Sequence, residues 1–362
     1  MRDFPRAARR AGAMAAATAL AGTAFSGTAF SGTAFGGTVF SSTVFSGTVF
    51  SGTVFSGTAP AGTAPPRRPP AWCKPGGTLS ARAMPQRVKI ADCDLRGRTV
   101  RGANGLVAVV PSDGTSLVAH EIRTDGGAEL RIAVDPRAGE ITVGTDGGRV
   151  PQGRPRGFRA PAAACEDGVH RAEPSRWPKG ATVQWRYYAG TAGLPVEPIA
   201  KAISNMVGAR TDCNGEGRFA VPPDVGERNA GQADRAPNIT GGATCGNRDR
   251  VNTFGWHAMP DAGRDVLAAS CTWFDGPTTV ETDMALQAQG KRWWTSGSCP
   301  AGSYSAEAVA THEAGHVLGL AHVEGTEHEN LTMAPSIASC DDGPATLAKG
   351  DYDGLIALYG GR

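Results

Sequence analysis

Between Trp72 and about Gly148 apolar and polar positions alternate in short runs: Leu106 to Val110, Ser116 to Ile122, Glu129 to Val134 and Glu140 to Val143. Alternation with a period of two marks a half-buried strand. The intervening SDG, TDGG and DPRAG supply the Asp-Gly and Pro residues of tight turns. The pattern predicts a meander of adjacent strands, a small β-rich domain over residues 72–149. Cys73 and Cys93 flank its entry and are placed to staple it, a help to a domain with so small a core.

Beyond Cys165 the pattern becomes mixed. Val183, Trp185 and Tyr187 alternate as in a strand, and Pro198 then opens a helix whose Ile199, Ala202, Ile203, Met206 and Val207 share one face. Strand-like runs follow at Arg250 to Trp256, Val266 to Phe274 and Val280 to Leu286, after a Gly/Asn/Asp-rich loop from Asp212 to Asn247. A helix capped by Ser305 carries Ala310, Ala314, Val317 and Leu318 as a buried stripe. A closing helix around Asp351 to Tyr359 repeats the pattern with Tyr352, Leu355, Ile356 and Tyr359. Strands interspersed with helices predict an α+β domain over residues 165–362. The stretch 150–164, VPQGRPRGFRAPAAA, reads as an exposed linker whose arginines make it a natural place for proteolytic activation, with the β-rich segment ahead of it as a prodomain.

The N-terminus changes the picture of where the chain works. Arg2, Arg6, Arg9 and Arg10 precede an apolar, Ala-rich run to Ala21, the order of a secretory signal peptide over residues 1–21. From Gly22 to Ser56 the sequence repeats every five residues as GTAFS and GTVFS, then fades into a Pro-rich end, so residues 22–71 read as a low-complexity tether. The eight cysteines are an even set with no CxxC pair, which in an exported chain favours disulfides whose pairing the sequence does not reveal. A formal net charge of +2 over 362 residues, with no basic helix interleaved with aromatics, excludes nucleic acid as the expected partner. No apolar run long enough to span a bilayer follows the signal segment, so a secreted monomer is expected.

The chemistry is concentrated in HEAGHVLGLAH, residues 312–322, followed by Met333 in LTMAP. Histidines four apart on a helix share a face, so His312 and His316 can bind one metal while Glu313 reaches a metal-bound water. Gly319 can take a backbone conformation closed to other residues and return the chain, making His322 a third ligand. Glu324, Glu327, His328 and Glu329 are rival third ligands. Three neutral imidazoles leave a fourth position open, the arrangement of a hydrolytic zinc site. In that chemistry the water attacks a carbonyl and Glu313 acts as general base, then returns the proton to the leaving amine.

This stretch resembles the metzincin zinc endopeptidases, whose HExxHxxGxxH pattern and Met-turn are met at His312, Glu313, His316, Gly319, His322 and Met333. Within that clan THEAGHVLGLAH, Pro335 and GDYDGLIALYG are similar to the matrixins, over roughly residues 177–360. The resemblance implies a metzincin-like fold, a twisted mixed sheet with an active-site helix and a C-terminal helix, and a secreted zinc endopeptidase acting on a protein or peptide. It also implies that Met333 floors the three imidazoles. Two features depart from the family: Ala334 stands where many matrixins have Tyr, and no PRCGxPD switch is present beyond a faint echo at Cys73-Lys-Pro-Gly. Calcium is called for by no specific motif, and Asp275, Asp283 and Asp341-Asp342 read as solvated loop carboxylates. Val280 to Leu286 is expected at an open sheet edge where a peptide substrate is held extended. The competing readings are a catalytically inactive adhesion module and a zinc hydrolase of a non-protein amide.

Overall fold

The computed structural model describes residues 68–147, 161–191 and 193–362. The expected signal segment, most of the tether and the linker up to residue 160 lie outside the described residues. In chain order the first part carries β1 (Leu79–Ser80), β2 (Arg87–Lys89), β3 (Thr99–Arg101), β4 (Val107–Val109), β5 (Ser116–Arg123), β6 (Gly127–Asp135) and β7 (Glu140–Gly147). The second part follows with α1 (Pro161–Glu166), β8 (Thr182–Tyr188), α2 (Glu197–Val207), β9 (Gly226–Gln232), β10 (Thr253–His257), β11 (Val266–Asp275), β12 (Thr278–Gln287), α3 (Ala306–Val317) and α4 (Lys349–Tyr359).

The run Leu106 to Val110 gives β4, which pairs with β3 in a separate three-stranded sheet, and the other three alternating runs form the expected meander, since β5, β6 and β7 pair antiparallel in sequence. It does not form a sheet of its own. Among the described residues nine strands make one sheet in the order β2-β7-β6-β5-β11-β12-β10-β8-β9. The joint is β5 against β11, antiparallel from Ser116 opposite Phe274 to Arg123 opposite Val266. β11 and β12 are antiparallel, whereas the pairs β12–β10, β10–β8 and β8–β9 are parallel. Both parts fall within one compact unit, so the small β segment and the second α+β segment share a sheet.

Two cores sit on this sheet. The first packs α2, α3 and α4 on strands β8, β10 and β12 through Ile203, Met206, Phe254, Val309, Leu318 and Leu355. Each such side chain contributes roughly 1.5–3 kcal/mol when fully buried. The second core joins the meander's Leu117, Leu130 and Ile141 to Cys271 and Trp273 of β11. Strand β5 serves both, because its alternate residues face opposite sides: Leu117 and Ala119 enter the second core and Ile122 the first.

All eight cysteines pair, as Cys73–Cys93, Cys165–Cys213, Cys245–Cys271 and Cys299–Cys340. The first is the expected staple of the meander, and with it the Cys73 thiol is committed to a disulfide. Three expectations need correction. Residues 161–164 of the expected linker are helical, in a short helix that runs on to Glu166 and is anchored through Cys165. The loop from Asp212 to Asn247 contains β9, whose GERNAGQ sequence gives no hydrophobic alternation because most of the strand is solvent-facing. Strand β12 is interior, flanked by β11 and β10, so Val280 to Leu286 is no open edge.

Candidate metal centre

Helix α3 begins where Ser305 accepts a hydrogen bond from the Ala308 amide at 3.2 Å, the N-cap the sequence predicts. It ends in a Schellman motif: the Gly319 amide donates to His316 O at 3.0 Å and the Leu320 amide to Gly315 O at 2.9 Å. Gly319 has φ +88°, and a Cβ there would lie 2.8 Å from Ser175 O, so the turn needs glycine twice over. The return carries His322 back to the helix.

The three imidazoles meet. His322 Nε2 lies 3.0 Å from His312 Nε2 and 3.2 Å from His316 Nε2, all three side chains buried. Neighbouring donors on a tetrahedral shell of about 2.0–2.1 Å bonds stand about 3.3–3.4 Å apart, close to this spacing. The opposite ring nitrogens are occupied: His312 Nδ1 sits 2.7 Å from Thr332 O and His316 Nδ1 2.8 Å from Leu320 O. A backbone carbonyl only accepts, so each Nδ1 carries the proton and each Nε2 turns a lone pair toward the shared point. Burial holds all three imidazoles neutral, His312 down to about 4 and the other two well below the ordinary value, where neighbouring imidazoles add to the effect. Lone pairs facing one another in a dry site are costly unless a cation takes them, so this cluster fits a divalent metal.

Glu313 is fully buried beside the cluster, and both its carboxylate oxygens lack a hydrogen bond. Burial pushes it up to about 7, with Ser270 and the Ile122 amide offsetting part of the rise though neither closes a bond of ordinary geometry. Such a carboxyl is poised to take and return a proton near neutrality. Met333 is buried under α3; a Cβ on Gly315 would come 2.2 Å from its Sδ, so the methionine floors the helix against glycine. Three of the four rival ligands sit elsewhere. Glu324 and Glu327 are exposed, and His328 Nδ1 lies 2.8 Å from Asp167.

Several residues of the centre escape sequence reasoning. Asp351 of α4 accepts the amides of Thr332 at 2.8 Å, Met333 at 3.1 Å and Ala348 at 2.9 Å, fixing the turn whose Thr332 carbonyl orients His312. Burial outweighs those bonds and leaves its acidity weakened. His120 of β5 stacks on His316 at 3.7 Å between ring centroids and meets His322 edge-on at 5.5 Å. Its Nε2 is 3.2 Å from Glu173 Oε1. Burial disfavours the His120 imidazolium, but Glu173, with Glu129 and Glu313 beyond, outweighs it and raises the pKa. A signal was present in LVAHEIR, where two polar residues interrupt an otherwise apolar strand. Of the carboxylates read as solvated loop groups, Asp283 and Asp341 are buried instead, and Asp283 accepts the Asn238 and Thr253 amides at 2.6 and 2.8 Å.

A buried carboxylate beside converging neutral imidazoles, on a helix packed under a mixed sheet, is what a metal-dependent hydrolase requires. Residues 261–360 match the Matrixin family, which supports a matrixin-type metalloprotease domain in this part of the chain. The match takes in β11, β12, α3 and α4, and the meander lies outside it. Residues 20–58 match eight copies of the pentapeptide repeat, in keeping with the period of five. No curated protein matches the chain.

Proposed function

We propose that the chain is a secreted zinc-dependent endopeptidase in which His312, His316 and His322 hold the metal and Glu313 is the general base. The observation that carries the assignment is the pair of Nδ1 contacts to Thr332 O and Leu320 O, which leave the Nε2 lone pairs converging with His322. When bound, zinc supplies Lewis-acid polarisation of the scissile carbonyl and lowers the pKa of water toward about 7. Glu313, unpaired and buried, takes the proton of the attacking water and passes it to the departing amine nitrogen. Ala334 offers no hydroxyl, so proton transfer falls to Glu313 without assistance from that position. Met333 acts through packing alone. Four disulfides, and the lack of a helix long and apolar enough to cross a membrane among the described residues, support an extracellular setting.

The test is metal analysis of the secreted protein, with cleavage of a denatured protein assayed before and after proteolysis within residues 151–160. Bound zinc, and cleavage abolished by a chelator and restored by added zinc, are expected. Zinc without cleavage of protein in either form points to the adhesion module, and turnover confined to small amides points to a non-peptidase hydrolase.

A further inference from the structure

A second group of buried donors lies beside the histidine cluster and takes no part in the proposed hydrolysis. His120 and Glu129 stand directly opposite one another on β5 and β6, so their side chains share a face of the sheet. Glu173 meets them there and is fixed from its own side, because its amide donates at 2.8 Å to the carbonyl of Gly319, the glycine that turns the chain toward His322. One donor atom from each of the three lies within 4.8 Å of the others, and all three are buried. His120 Nε2 and Glu173 Oε1 are 3.2 Å apart, yet neither closes a hydrogen bond of good geometry. Buried polar atoms ordinarily find partners, so an orphaned nitrogen and oxygen held this close mark a place for a ligand. Donors on a tetrahedral or octahedral shell of about 2.0–2.2 Å bonds stand about 2.8–3.6 Å apart, which takes in their spacing.

His120 also borders the three clustered histidines, but the direction of its lone pairs assigns it elsewhere. Its ring is stacked on His316, with 3.7 Å between centroids and 6° between planes. An imidazole nitrogen donates in the plane of its ring. An ion in the plane of His316 therefore lies over the face of His120, out of reach of its lone pairs, whereas His120 Nε2 has Glu173 beside it.

We propose that His120, Glu129 and Glu173 form a second metal site, for a divalent first-row ion of the Mn²⁺ type, that ties β5 and β6 to the turn after α3. Two carboxylates and one imidazole suit such an ion better than Ca²⁺, which gathers six to eight oxygens, or a soft ion, which favours thiolate. Arg131 competes for the carboxylates, its Nη2 lying 2.7 Å from Glu129 Oε1 and 3.4 Å from Glu173 Oε2. Each carboxylate keeps its other oxygen for the ion. The guanidinium charge nevertheless loosens the hold, so this ion exchanges readily and leaves on dialysis, while the three clustered imidazoles retain theirs. All three donors precede residue 261, where the family match begins, so the site stands independently of the endopeptidase reading.

The experiment titrates Mn²⁺ into the zinc-loaded, dialysed full chain and reads free Mn²⁺ by electron paramagnetic resonance, with thermal unfolding followed alongside. One equivalent is expected to bind and to raise the unfolding temperature, as an ion bound only by the folded form must. Glu129→Gln and Glu173→Gln should each weaken uptake at least about tenfold by removing a charged donor. Arg131→Met should act in the opposite sense and tighten uptake about tenfold, since it removes the competing cation and leaves the three donors in place. That gain keeps the test decisive if a glutamine variant fails to fold. His312→Ala, which breaks the first cluster, should still take up one equivalent at the parental strength, so the two sites fail separately. No uptake below about 1 mM Mn²⁺ would overturn the proposal. So would parental uptake by both glutamine variants, an Arg131→Met that binds no tighter, or loss of uptake in His312→Ala, which would put the ion among the clustered histidines.

Discussion

The two walls of the histidine cluster are built by opposite means. One wall is local: α3, its glycine return and the Met-turn put His312, His316, His322 and Met333 together within one short stretch of chain. The other wall is distant, since His120 arrives on β5 from the meander and Glu173 from the segment ahead of β8. The local wall presents lone pairs with locked tautomers, a donor set for a metal. The distant wall presents a histidine–carboxylate pair that covers those donors. On the proposed reading the metal donors and the general base are concentrated in one wall, and the residues that cover them in the other.

Substitutions should separate the walls. The largest effect is expected for His316→Ala, which removes a donor and should take zinc after dialysis from about one per chain to about a tenth of that or less; metal analysis of the folded protein reads it directly. Asp351→Ala leaves the Thr332, Met333 and Ala348 amides buried without an acceptor, and should cost about 3 kcal/mol or more in denaturant unfolding. Its metal affinity should also drop about 10–100-fold, because Thr332 orients His312. Gly319→Ala meets the strained φ and the Ser175 carbonyl, and should destabilise by about 1–3 kcal/mol. The smallest effect on metal is expected for His120→Ala: a zinc affinity within about tenfold of the parent, measured by competition with a chelator. A loss as large as that of His316→Ala would place His120 in the metal-binding wall and collapse the distinction.

The local wall was legible in the sequence because each of its parts follows from a short-range rule. Spacing of four puts two histidines on one helix face, Ser305 caps the helix and Gly319 alone accepts the return. The meander strands were legible for the same reason, each alternating between Asp-Gly or Pro turns. What remained hidden was pairing between distant segments. Nothing in the alternation of Ser116 to Ile122 names β11 as its neighbour, so the junction that merges the two segments could not be read, and neither could the parallel pairing with β10 that makes β12 interior. Sequence pattern places Asp351 only in the closing helix, because its acceptor role depends on where the Met-turn lies in space. Strand β9 lacked any apolar period, its residues being mostly exposed.

The most direct measurement compares the parent chain with Glu313→Gln, both cut within residues 151–160 and matched for zinc content, in the cleavage of a quenched peptide. Glutamine keeps the shape of the side chain and removes its basicity, so kcat should fall about 10²–10⁴-fold while zinc stays at the parental level. Cleavage by Glu313→Gln at the parental rate, with zinc unchanged, would contradict the account.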